Sequence, residues 1–124
     1  MVDLAALPAD LPIPLDDGAC DHLVGMVMPA IVLDATRGGP VDLAVLSAGR
    51  TVLFAYPMTG KPGLALPDGW DQIPGARGCT PQNCAFRDQH AAFAALGARV
   101  LGLSTQSSVD QAEMAERLHC PIRC

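Results

Sequence analysis

The apolar positions of this chain fall into short runs divided by glycine and proline, and the period changes from run to run. Ala30-Ile31-Val32-Leu33 is a run of strand length, and Gly38-Gly39-Pro40 behind it supplies a turn. Val41 to Leu46 alternates apolar and polar in part, which predicts the returning strand, and Ser47-Ala48-Gly49 a further turn. Thr51 to Tyr56 (TVLFAY) is apolar throughout most of its length and is bounded by Arg50 and Pro57. Such a run predicts a buried strand. Residues 57–78 then hold nine glycines and prolines, so no regular element is expected there. A loop of that length in a compact domain is commonly functional.

Beyond the loop the period becomes helical. Phe86, Phe93 and Leu96, with Ala85 and Ala92, share one stripe, which predicts a helix over 85–96. Pro81 fits a first helical turn and Gly97 a C-terminal stop. Arg99 to Ser104 reads as the next strand. A final helix starts near Ser107-Ser108, where Ser108 followed three residues later by Gln111 fits a capping box. Val109, Ala112, Ala115 and Leu118 would form its apolar face, and Glu113 with Arg117 a favourable pair one turn apart. Pro121 limits its continuation. The order strand, strand, strand, helix, strand, helix predicts an α/β sheet with a parallel core. Pro8, Pro12 and Pro14 forbid a continuous helix near the start, so residues 1–22 read as an extended arm and 23–124 as the domain.

Composition narrows the classes. A chain of 124 residues makes one domain and can bury roughly two-thirds of its unfolded surface. Half of it is apolar and 17% charged, which excludes a disordered chain. Aromatics are 4%, so a mostly aliphatic core is expected. The net charge of −5, with scattered basic residues, opposes a nucleic-acid partner. No basic residue precedes Arg37 and the apolar stretch Leu23 to Leu33 is too short to span a bilayer, so a cytoplasmic protein with no membrane partner is expected. In that compartment five cysteines are more often catalytic, metal-binding or inert than disulfide-bonded.

The chemistry concentrates in Gly78-Cys79-Thr80-Pro81-Gln82-Asn83-Cys84, where the loop enters a helix. A helix N-terminus favours a thiolate, so Cys79 is expected to have a depressed pKa, with Arg77 and Arg87 adding charge nearby. Residues i and i+5 of a helix lie about 140° apart around the axis, with Cα atoms roughly 8–9 Å apart. A disulfide rarely tolerates more than about 7 Å. Cys79 and Cys84 can therefore bond only if the first turn unwinds, an arrangement suited to a sulfenic acid captured by a second thiol. Two plain packed thiols are the simpler reading. Zinc held by Cys79, Cys84, Cys120 and Cys124, with His119, is a third, although the spacings lack the usual tight pairs. Cys120 reads as a packed residue at a helix end and Cys20 as an ordinary thiol in the arm. Trp70 is an anchor for the long loop, or a lid.

The strand TVLFAYP, the stretch GCTPQNCAFRD and the later LGARVLGLSTQS together resemble the peroxiredoxins, most closely the Q type, also called bacterioferritin comigratory protein. The resemblance implies a thioredoxin-like fold, with a central mixed sheet flanked by helices and here without the C-terminal strands and helix. It implies Cys79 as the peroxidatic thiol and Cys84 as the resolving one. It further implies reduction of hydrogen peroxide and organic hydroperoxides, recycling by thioredoxin or a similar dithiol, no metal or organic cofactor, and a monomer or homodimer. Two positions depart from the family. Pro57 lies 22 residues before Cys79, further than usual, and Ala76 stands where the family carries a hydroxyl. Thr59 or Thr80 would have to supply that hydroxyl, and Arg87 would orient the active-site turn or simply pair with Asp88. The alternative is a non-catalytic redox-sensing or partner-binding module, or an inactive fragment.

Overall fold

The computed structural model describes residues 3, 4, 6–46 and 48–124; Ser47 of the expected turn and Met1, Val2 and Ala5 of the expected arm lie outside them. A short hairpin comes first. Strand β1 (Val32–Leu33) pairs antiparallel with β2 (Val41–Asp42), in the register Val32 opposite Asp42 and Leu33 opposite Val41. Gly38 and Gly39, both at positive φ, make the connection. The returning strand predicted over 41–46 stops at Asp42, and Leu43–Leu46 is a helical turn, α1. The Asp42 carboxylate accepts the Ala44 N–H at 2.9 Å, the local bond that turns a strand end into a helix start.

Strand β3 (Thr51–Tyr56) pairs in parallel with β4 (Arg99–Ser104), from Thr51 opposite Arg99 to Tyr56 opposite Ser104. Both strands have the boundaries expected from their apolar runs. β3 is less buried than expected: Phe54 and Tyr56 are covered, Thr51 to Leu53 half-covered and Ala55 exposed. The crossover between the strands carries two helices where one was predicted, α2 (Cys79–Asp88) and α3 (His90–Ala95). They part at Gln89, whose φ of −97° and ψ of 3° leave the helical region. Gly97, at φ 69°, ends α3 as the sequence suggests.

Helix α4 (Ser108–Arg117) is capped one residue earlier than expected. The Ser107 hydroxyl, not Ser108, accepts the Asp110 N–H at 3.1 Å. The buried face also differs from the expected one. Gln111 and Met114 point inward and Leu118 packs beside them, while Val109, expected on that face, is 76% exposed. The Glu113–Arg117 pair forms as predicted, at 2.7 Å.

The core is aromatic and sulfur-rich rather than mostly aliphatic. Phe54, Tyr56, Cys79, Met114, Ile122 and Cys124 form its buried centre. The Phe54 ring stacks on Phe86 at 4.2 Å and on Tyr56 at 5.9 Å, and Phe86 continues the stack to Phe93 at 5.8 Å. The aliphatic residues are spent elsewhere: Leu15, Val24 and Val27 all stand in water. Arg123 adds a single parallel bridge to Leu101 on the open side of β4. Gly102 is required there, because a Cβ would lie 2.8 Å from the Cys124 sulfur and 3.0 Å from Phe54. Among the described residues no helix is long and apolar enough to cross a membrane.

Candidate active site around Cys79

Three parts of the chain meet over Cys79. The first is the segment after β3, held down by the start of α4. The Pro57 carbonyl accepts from Thr105 Oγ1 at 2.7 Å and Ser104 Oγ at 3.2 Å. Gln106 grips Thr59 three times: its Oε1 accepts the Thr59 N–H at 2.9 Å and the Thr59 hydroxyl at 3.2 Å, and its Nε2 donates to the Thr59 carbonyl at 3.3 Å. Arg117 Nη2 donates to the Gly60 carbonyl at 3.0 Å, and Lys61 pairs with Asp110. So fixed, the 57–61 strap presents the Met58 N–H to the Cys79 sulfur.

The second part is the end of the long loop, where Trp70–Gln72 and Ala76–Gly78 form 3-10 turns. The second turn runs straight into α2, the third part. Cys79 opens α2, but its sulfur faces the Ala76 carbonyl at 3.8 Å and the residue is only 4% exposed. The depressed pKa expected from a helix start is therefore not found. Burial pushes the Cys79 thiol up, and the N–H groups of Met58 and of Cys79 itself oppose that only in part. Neither expected cation offsets that burial, although Arg77 lines the same small cavity as Cys79. Arg77 Nη1 is bound to Asp71 at 3.1 Å, and Arg87 donates to Asp88 at 2.9 Å and to the Leu118 carbonyl at 2.9 Å.

Thr80 is buried beside Cys79, lining with it, Met58, Gly60, Trp70 and Ala76 a cavity of about 10 Å³. That is barely the room one water needs, so a peroxide enters only if the strap or the Trp70 loop yields. Thr59, the other candidate hydroxyl, is committed to Gln106. Asn83 locks the first turn of α2 from within. It is fully buried and its Nδ2 donates to the Cys79 carbonyl at 2.9 Å, while its Oδ1 accepts no hydrogen bond.

Cys84 is half-buried in the same helix, so the two thiols sit apart along an intact α2. Cys124 belongs to the same buried core as Cys79 and Cys120 packs against it, and burial raises the pKa of each. Cys124 contacts Tyr56, whose phenol burial also drives up. Among the described residues no three His, Cys, Asp or Glu side chains converge as metal ligands, so the zinc set of Cys79, Cys84, Cys120 and Cys124 with His119 is not assembled. Met58, Asn83 and Gln106 were missed by sequence reasoning. Met58 acts through its backbone, which no residue type advertises. Asn83 does carry a signal, an amide one turn after the cysteine.

No family model matches the chain. Chloroplastic peroxiredoxin Q of Sedum lineare is 32% identical over 98 residues, covering 79% of this chain and 45% of that protein. Peroxiredoxin bcp1 of Schizosaccharomyces pombe is 32% identical over 119 residues, covering 94% of this chain and 53% of that one. The crystal structure of peroxidoxin BcpB from Mycobacterium tuberculosis superposes with a TM-score of 0.61 at 30% identity, covering 80% of this chain and 55% of that chain. The chain thus spans about half the length of the curated relatives it matches.

Proposed function

This chain belongs to the Q-type peroxiredoxins and carries their thioredoxin-like fold over about half the relatives' length, and on that premise we propose that it is a thiol-dependent peroxidase. Cys79 attacks the terminal oxygen of hydrogen peroxide or an organic hydroperoxide as its thiolate. The S–O bond forms as the O–O bond breaks, leaving Cys79 sulfenic acid and water or an alcohol. The first turn of α2 then unwinds, the Cys84 thiolate attacks the Cys79 sulfur, and a Cys79–Cys84 disulfide forms with loss of water. Thioredoxin or a similar dithiol restores both thiols by exchange.

The observation that carries this reading is the placement of the pair. Cys79 opens α2 beneath the 57–61 strap and Cys84 lies in the second turn of the same helix, so disulfide formation requires that turn to unwind. Stopped-flow mixing of the reduced protein with hydrogen peroxide tests it. Oxidation should outrun that of free cysteine, vanish in Cys79→Ser, and stall in Cys84→Ser as a sulfenic acid that dimedone traps. A rate equal to free cysteine rejects the proposal.

A second reading, a redox-sensing module without turnover, is favoured by one observation: the Cys79 thiol is raised by burial and no cation offsets the rise. It predicts slow, single oxidation with no recycling by a dithiol, which the same instrument distinguishes under repeated peroxide additions.

A further inference from the structure

That cycle leaves Cys120 without a role, yet the fold brings it to Cys84. Cys84 and Arg87 stand three residues apart on α2 and share one face. Arg87 Nη1 donates to the Leu118 carbonyl at 2.9 Å, which lays that face against the end of α4. The chain turns back at once, through His119 at φ 52°, and the Cys120 N–H donates to the Ala115 carbonyl at 2.8 Å. Cys84 stands within electrostatic reach of Cys120, and Arg87 within reach of both thiols. Cys84 and Cys120 are both half-buried, whereas Cys79 is sealed.

We propose that Cys120 takes the disulfide over from Cys79. Once Cys79–Cys84 has formed, the Cys120 thiolate attacks Cys84 Sγ. The Cys84–Cys120 bond forms as the Cys79–Cys84 bond breaks, Cys79 leaves as a thiolate, and the proton given up by Cys120 is matched by one gained at Cys79. No electrons enter or leave. Arg87 beside the two sulfurs steadies the attacking thiolate. The exchange has a structural drive: a Cys79–Cys84 bond holds the first turn of α2 open, whereas a Cys84–Cys120 bond ties two neighbouring elements and lets that turn rewind. It frees Cys79 for another peroxide and presents the disulfide at a half-buried position open to an incoming dithiol.

This inference rests on the peroxidase reading, so its test has an arm that needs no peroxide. In a Cys20→Ser, Cys79→Ser chain, a limiting amount of 5,5′-dithiobis(2-nitrobenzoate) should first label Cys84. Cys120 should then displace the second nitrothiophenolate, leaving a Cys84–Cys120 crosslink in the peptide map. Cys120→Ala should keep the mixed disulfide. In the second arm, peroxide added to the Cys20→Ser chain should give Cys79–Cys84 first and Cys84–Cys120 after it, while Cys120→Ala stops at the first bond. A stable mixed disulfide on Cys84 in the first arm, or oxidation ending at Cys79–Cys84 in the second, overturns the relay. A crosslink in the first arm with no peroxide oxidation in the second overturns the peroxidase reading and leaves the Cys84–Cys120 pairing standing.

Discussion

At Cys79 two effects compete, and their order decides how the thiol behaves. Desolvation disfavours the thiolate, while the Met58 and Cys79 N–H groups favour it, and desolvation is the larger. Iodoacetamide labelling of the reduced protein at pH 7 should therefore reach exposed Cys20 first and Cys79 last. The Cys79 rate should climb only above the ordinary thiol value of 9.0. Gln106→Ala removes all three bonds to Thr59 and should speed Cys79 labelling several-fold at unchanged pH. Equal labelling of Cys20 and Cys79, followed by peptide mass spectrometry, would show that the sulfur is not sealed. The cysteine pair itself was legible in the sequence, because the pattern of a loop entering a helix is local. The pKa was not, because it depends on a strap fastened by Gln106, 47 residues from Thr59. Helix position alone gave the wrong sign, since the preceding 3-10 turn and the burial of the sulfur override the free helix end.

Among the elements, the start of α4 offers the sharpest check. Ser107 and Ser108 are adjacent, yet only Ser107 caps the helix. Ser107→Ala should cost about 1 kcal/mol of stability and Ser108→Ala a few tenths at most. Urea titration of both variants measures this, and equal losses would place the cap elsewhere. The contrast explains which elements the sequence discloses. β3 and β4 are dense apolar runs, so their limits follow from the runs themselves. The 41–46 stretch is undecided by pattern, and one Asp42 carboxylate tips its second half into a helical turn. The break at Gln89 has no local cause, as glutamine is a good helix former. It coincides with a ring stack that Phe86 and Phe93 build from the two short helices. Val109 illustrates the limit of an apolar stripe as a guide to the buried face, since α4 turns Gln111 and Met114 inward and leaves Val109 in water.

The molecule as a whole is loosely covered, and what it does bury is unusually titratable. Its accessible surface is 8052 Å², where a compact monomer of this mass exposes about 6,300 Å². It buries about 57% of its unfolded surface rather than two-thirds, the fraction typical of a much smaller domain. The centre of that small core holds Tyr56, Cys79 and Cys124, with Cys120 packed against it, and burial raises the pKa of all four. The sign of the consequence is fixed. In the unfolded chain the thiols lose protons near 9.0, whereas the folded chain still holds them there. Folding therefore binds protons above that pH, and stability, fully present below it, falls as pH rises toward the folded values. Each fully shifted group removes about 1.4 kcal/mol per pH unit in that window. Urea midpoints of the reduced protein should hold steady from pH 7 to 8 and drop between 9 and 10.5. Cys124→Ala should make the drop shallower, because it removes one of the buried protons. A midpoint unchanged at pH 10.5 would mean that the core thiols reach water in the folded state, and with it the sealed geometry around Cys79 would fall.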